Sequence, residues 1–256
     1  MASTVQSPSA AAGLDPGDVR LWRRSWDEVM GHFLPGWQGF EAAMAETVES
    51  VLGGPPAGVL DLGGGPGVLA ERLVARWPDA VVGLLDLDPV LLRLAEAGAP
   101  DAVHVHPGDL STSGWRSAVA RYCPVDLVVV VMTMHYLPAD AAWALYRDAR
   151  AVLRPGGLLV VADLMPHDDL PSVMGALRPD ADEAAGLAWT RWWDEIAAEP
   201  ALRSSLRRRR ALFAGRPPAE FVPAERWHRA AARAAGFHES GVVWRCGAHA
   251  AICAVA

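Results

Sequence analysis

The sequence predicts an α/β fold built on a mostly parallel sheet with helices on both faces. Short β-branched runs alternate with helical stretches along most of the chain, which is how a parallel sheet with helical crossovers is written. A glycine-rich turn joins the first such run to an amphipathic one. No fixed-period repeat interrupts the pattern, and 256 residues suffice to bury a full core.

Taken in order, residues 1–16 (MASTVQSPSAAAGLDP) are small and polar. They lack the basic start and apolar centre of a secretory signal, so they read as a disordered tail of a cytoplasmic protein. Residues 17–52 read as a cap of two helices, because Trp22, Trp26, Met30 and Phe33 recur at a spacing that puts them on one face. Strands are expected at Gly58–Leu62, Ala80–Leu87, Ala102–His106, Asp126–Val131 and Gly157–Asp163. Helices between them are expected at Val68–Trp77, Pro89–Glu96, Ser113–Tyr122 and Ala139–Leu153. Residues 166–222 break the alternation and read as a helical lid insertion. A helix at Ala224–Ala235 and strands at Glu239–Arg245 and Ala248–Ala254 follow, so the core comprises residues 53–165 and 223–256.

Composition narrows the function classes. The net charge is −7 and lysine is absent, so all the formal positive charge is arginine. A broad nucleic-acid surface normally shows as a basic excess, and none is expected here. The one basic run, Arg207–Arg210, reads as a solvated helix face. The apolar runs at Val81–Leu87 and Leu127–Met134 are too short to cross a bilayer, so no membrane association is expected. Cys123, Cys246 and Cys253 form no CxxC pair and have no histidine at zinc-finger spacing, so neither disulfides nor a zinc site are expected.

The chemistry starts at VLDLGGGPGVLAERL, Val59–Leu73. A strand that ends in glycines and runs into a helix brings bare backbone and free N–H groups beside a ligand. Asp86, at the end of the next strand, offers two acceptor oxygens to the hydroxyls of a ribose. Together they indicate a nucleoside-containing cofactor. Gly65, Gly67 and Ala70 also satisfy the GxGxxA form of the dinucleotide fingerprint, with Asp86 about 20 residues on, so a nicotinamide-dependent oxidoreductase competes with other readings.

Downstream motifs bear on that choice. DLGGGPG is similar to the glycine loop of class I S-adenosylmethionine-dependent methyltransferases, and VLRPGGLLVVADL resembles their fifth-strand entry. PVDLVVVVMTMHYLP and HPGDL resemble their fourth strand with its loop and the end of their third strand. The resemblance covers roughly residues 58–163 and 223–256. It implies a Rossmann-like seven-stranded, mostly parallel sheet with an antiparallel last strand, and S-adenosylmethionine as cofactor.

Residue by residue, it implies that Gly63, Gly64 and Gly65 lie against the methionine part of the cofactor, with Asp61 near its amino group. Asp86, beside Leu87, would hold the ribose hydroxyls; Asp88 reads as a helix cap. Asp109 and the Leu110 N–H would read the adenine, and the Val131 and Met132 carbonyls would take the ammonium. Because a sulfonium methyl is already electrophilic, the protein has mainly to align an acceptor and exclude water. His135 follows the fourth strand and is the candidate general base.

Met134 and Tyr136 beside it, with Trp22, Trp26, Trp189, Trp192 and Trp193, are the candidate pocket for a flat, partly apolar small-molecule acceptor. His167, Asp168 and Asp169 read as turn chemistry, and no metal is expected. The chain is expected to act as a monomer or homodimer on an oxygen or nitrogen atom. The alanine, arginine and proline bias suggests a GC-rich bacterium and secondary metabolism. A methyltransferase fold that catalyses a rearrangement or cyclisation without methylating is the further alternative.

Overall fold

The computed structural model describes residues 14–176, 181–216 and 219–256; residues 1–13, most of the expected tail, lie outside the described residues. Helices α1 (Pro16–Phe33) and α2 (Trp37–Leu52) lead. The alternating core follows as β1 (Gly58–Leu62), α3 (Val68–Arg76), β2 (Val81–Asp86), α4 (Pro89–Gly98), β3 (Val103–Pro107), α5 (Trp115–Val119), β4 (Val125–Val131), α6 (Ala139–Val152) and β5 (Leu153–Leu164). The insertion forms α7 (Pro171–Ala176), α8 (Ala181–Ala198) and α9 (Arg203–Phe213), and α10 (Glu225–Ala234), β6 (Glu239–Cys246) and β7 (His249–Val255) finish the fold.

The seven strands form one sheet in the order β3-β2-β1-β4-β5-β7-β6. β1 to β5 pair in parallel, while β7 runs antiparallel between β5 and β6. The order reverses between β1 and β4, and loops at the carboxyl ends of strands flanking such a point form a crevice. Apolar side chains fill both faces. Phe40, Met44, Leu73 and Leu92 cover one with α2, α3 and α4; Trp115, Tyr146 and Ala231 cover the other with α5, α6 and α10. A third cluster, Val29, Leu94, Trp192, Ile196 and Leu206, ties α1, α4, α8 and α9 into one cover at the edge of the sheet.

Local chemistry sets the boundaries. Asp15 caps α1 through the Gly17 N–H at 2.7 Å and Pro16 opens it, so the cap helix starts inside the stretch expected to be tail. Asp88 caps α4 through the Val90 N–H, as its position before Pro89 implies. β5 starts four residues earlier than expected because Leu153 pairs with Val125 ahead of a bulge, and Gly156 takes φ 75° in the Pro155 reversal. The helix expected over Ser113–Tyr122 shortens to α5 and a single 3-10 turn, since Gly114 provides no side-chain cap.

Candidate active site

The glycine loop connects β1 to α3 at the carboxyl edge of the sheet. Gly63 sits at φ 79°, and a Cβ there would come within 2.3 Å of the Thr133 hydroxyl. At Gly64 it would come within 2.6 Å of the Asp61 carboxylate. These two glycines are therefore required by the protein's own packing rather than by the ligand's volume, which corrects the sequence-based reason. Gly65 differs: its missing Cβ faces Trp26 at 3.5 Å, across the cavity.

That cavity, of about 110 Å³, is lined on one wall by Asp61, Gly63, Gly64, Gly65, Val131 and Met132. The opposite wall is Trp26, Asp27, Met30, Trp37 and Glu41, with Arg72 from α3. A larger groove of about 610 Å³ lies outside, between α2 and α3, and contains none of the glycine loop. Arg72 donates to Asp27 and Glu41 at 2.8 Å each and stacks on Trp37 at 4.3 Å. It is a cavity cation that the sequence reading missed; the only signal is an arginine in the second turn of α3.

Asp61 is 1% exposed and its Oδ2 has no hydrogen-bond partner. Burial, reinforced by the nearby Asp86 charge, pushes its carboxyl up to about 7 against the opposing pull of Arg72. Burial likewise raises Asp86 to about 6, although the Asp88 and Gly65 N–H groups, each at 2.8 Å, favour its charged form. Such a pair of raised carboxylates suits a cationic ligand that supplies the missing counter-charge.

Two arginines of the insertion reach the loops after β2 and β3. Arg209 of α9 pairs with Asp88 and stacks on Trp193, and Arg216 donates to Asp109 at 2.5 Å. The other Asp109 oxygen accepts from the Ser111 N–H and hydroxyl. Leu87 sits beside Asp86 between β2 and α4, and Leu110 packs into the core near Trp115.

The Val131 carbonyl already accepts from the Thr133 hydroxyl at 2.9 Å. Met132, next to it, holds φ 49°, an uncommon conformation for a side chain of its size, and one that clusters at functional sites.

His135 lies in a 3-10 turn after β4. Its Nδ1 is 2.7 Å from Oδ1 of Asp163, which is almost fully buried at the end of β5. The Thr133 and His135 N–H groups reach the other oxygen at 3.1 and 3.3 Å, and the Leu164 N–H holds Oδ1 at 2.8 Å. Three backbone N–H groups thus fix one carboxylate, which in turn orients one imidazole through Nδ1 and leaves Nε2 as its other face. Asp163 was not singled out from sequence, although a carboxylate interrupting the VVADL strand is a readable signal of a buried functional acid.

The tryptophans divide by role. Trp26 lines the cavity and, with Trp22, packs α1 against Trp189 and Trp192 of α8, while Trp193 packs on the same two within α8, through edge-on or tilted contacts with ring centroids 4.9 to 6.4 Å apart. The Trp192 indole donates to the Ser25 hydroxyl at 3.0 Å from full burial. The expected acceptor pocket is thus, for Trp22, Trp189, Trp192 and Trp193, the packing of the cover instead. Met134 is also buried, while Tyr136 is 54% exposed and lies over His135 with ring centroids 4.1 Å apart. Asp168 pairs with Arg226, and no group of three or more potential metal ligands occurs among the described residues.

Residues 59–157 match a family model described as a methyltransferase domain. That stretch is a methyltransferase domain, in agreement with the resemblance of its motifs to class I S-adenosylmethionine-dependent methyltransferases. This settles the cofactor between the two readings of the glycine loop. The chain is 32% identical over 158 residues to the trans-aconitate 2-methyltransferase of Azoarcus sp. (strain BH72), covering 59% of each chain. It is 30% identical over 133 residues to the malonyl-[acyl-carrier protein] O-methyltransferase of Hahella chejuensis (strain KCTC 2396), covering 50% of this chain and 44% of that protein. The matched stretch therefore spans less than two thirds of these relatives.

Among solved structures, an O-methyltransferase family protein from Burkholderia thailandensis superposes with a TM-score of 0.56 at 18% identity, over 84% of this chain and 56% of that one. Human N-acetylserotonin methyltransferase, solved in complex with S-adenosylmethionine, superposes with a TM-score of 0.56 at 15% identity, over 94% and 56%. At such identities the likeness speaks to the fold, and it agrees with the seven-stranded sheet described above.

Proposed function

We propose that this methyltransferase moves a methyl group from S-adenosylmethionine to an oxygen or nitrogen atom of a small, partly apolar or aromatic metabolite in bacterial secondary metabolism. The observation that carries the reading is the His135–Asp163 pair, held by backbone amides beside Thr133, whose hydroxyl faces the Gly63 carbonyl at 3.4 Å. A general base thereby stands next to the loop that grips the cofactor's methionine end.

The residues present fit that cofactor: Asp61 has an unsatisfied buried oxygen for its ammonium, and Gly65 opens toward the cavity. When bound, the cofactor supplies an electrophilic sulfonium methyl. Asp163 keeps the His135 proton on Nδ1, which leaves Nε2 to take the proton that an acceptor O–H or N–H would give up on methylation. Asp163 then stabilises the imidazolium. Trp26 and the packed cover keep water from the reacting atoms. Support for an organic acceptor comes from the aromatic surroundings of His135, where Tyr136 and Phe221 lie on either side of its backbone; the Phe221 N–H donates to the His135 carbonyl at 3.1 Å.

The test is turnover with labelled S-adenosylmethionine against a panel of phenols, carboxylic acids and amines, with products read by mass. A label-bearing product lost in His135→Ala supports the reading. Conversion of an acceptor with no methyl gain would replace it with the rearrangement alternative.

A further inference from the structure

Arg23 of α1 is 6% exposed, an unusual place for a guanidinium, and every branch of it is engaged. Nε donates to the Pro66 carbonyl at 2.9 Å, Nη2 to the Gly67 carbonyl at 2.8 Å and Nη1 to the Gly98 carbonyl at 2.7 Å. Nη2 also pairs with Glu71 at 2.8 Å. Pro66 and Gly67 end the glycine loop, and Gly98 ends α4. A planar fork of donors matches three carbonyls at once, as a lysine ammonium does not.

The geometry points to Arg23 as a positioning residue for the cofactor loop. In a trans peptide the C=O and the following N–H point in opposite directions. The Gly67 carbonyl, held by Arg23 and by the Glu71 N–H of α3 at 3.0 Å, therefore turns the Val68 N–H the other way, and Val68 lines the cavity while Arg23 does not. Val68 is the first residue of α3, so its N–H has no partner within the helix, and Gly67 provides no side-chain cap. The same clamp keeps the partial negative charge of two carbonyls away from the amino-acid end of the cofactor, whose carboxylate would be repelled by them. Arg23 thus reinforces, from a helix outside the sheet, the backbone polarity that the first turn of α3 gives the loop, and extends it to the Pro66 carbonyl, which has no helical partner among the described residues.

This rests on the cofactor reading above, and the experiment separates the two. Binding of S-adenosylhomocysteine and of methylthioadenosine, which has the same nucleoside thioether without the amino-acid end, is measured by calorimetry on wild type and Arg23→Lys. With the loop no longer clamped, S-adenosylhomocysteine should bind about tenfold more weakly, while methylthioadenosine changes by less than about twofold. Guanidinium ion at low millimolar concentration should restore S-adenosylhomocysteine binding to Arg23→Ala, whose cavity it fits. Equal weakening of both ligands, or no change in either, would overturn the assignment, because a purely structural arginine acts on both ends alike. Wild-type protein that binds neither ligand would overturn the cofactor reading itself, and this inference with it.

Discussion

At the scale of single residues, two carboxylates perform opposite tasks by environment alone. Asp163 is surrounded by N–H donors and holds the His135 ring; Asp61 is equally buried but has an unpartnered oxygen. Replacing Asp163 with Asn should remove the preference for the Nδ1–H tautomer and lower kcat by roughly 10²–10⁴-fold, with the Kd for S-adenosylhomocysteine unchanged. For Asp61 the folded-state pKa, about 7, lies above the ordinary carboxylate range. Its contribution to stability is thus complete below that range and is lost as pH rises through about 7. In thermal melts without ligand, wild type should lose stability relative to Asp61→Asn between about pH 4 and pH 8. S-adenosylmethionine needs the ionised form, so its affinity should rise over the upper part of that window in wild type and stay flat in Asp61→Asn.

Sequence reasoning singled out Asp61, Asp86, His135 and the glycines because strand ends and turns are punctuated in one dimension. It did not find Arg23, Arg72 or Asp163, whose partners lie 28 to 75 residues away in the chain. Their roles exist only once helices dock on the sheet.

At the scale of elements, the aromatic spacing in α1 and α8 was legible, while what it faces was not. A Trp face marks a buried surface whether it covers a ligand or another helix, and here Trp192 and its neighbours chiefly join α1 to α8. Trp192→Ala should therefore lower stability by about 3–5 kcal/mol in denaturant titration, and expose α8 to limited proteolysis before the sheet unfolds. If the side chain served only as a pocket wall, binding would weaken with stability unchanged. Boundaries behaved similarly. β1 matched because both ends are set by local turns, whereas the early start of β5 depends on its pairing with β4 across a bulge.

At the scale of the whole molecule, alternation of strands and helices specifies the parallel part of the sheet, because each crossover is local. The strand order is not written in the alternation, and its closing antiparallel pair was legible only through the motif resemblance. The crevice at the reversal between β1 and β4, the proposed seat of the cofactor, follows from that order. A ligand at a hundredfold excess over its Kd should stabilise the folded chain by about 2.7 kcal/mol. A thermal shift with S-adenosylmethionine and S-adenosylhomocysteine, absent with NAD, is the expected result.

The place of β7 has a consequence for how the chain comes to be folded in the cell. During synthesis β1 to β5 emerge first and can assemble in sequence, but the outer edge of β5 finds its neighbour only after residues 249–255 have been made. Until then a long apolar strand offers unpaired amides and carbonyls to any other nascent chain, and β6, already made, has no direct place on the sheet. A ribosome stalled before residue 249 would thus hold an aggregation-prone intermediate, and chaperone dependence should fall once β7 has emerged.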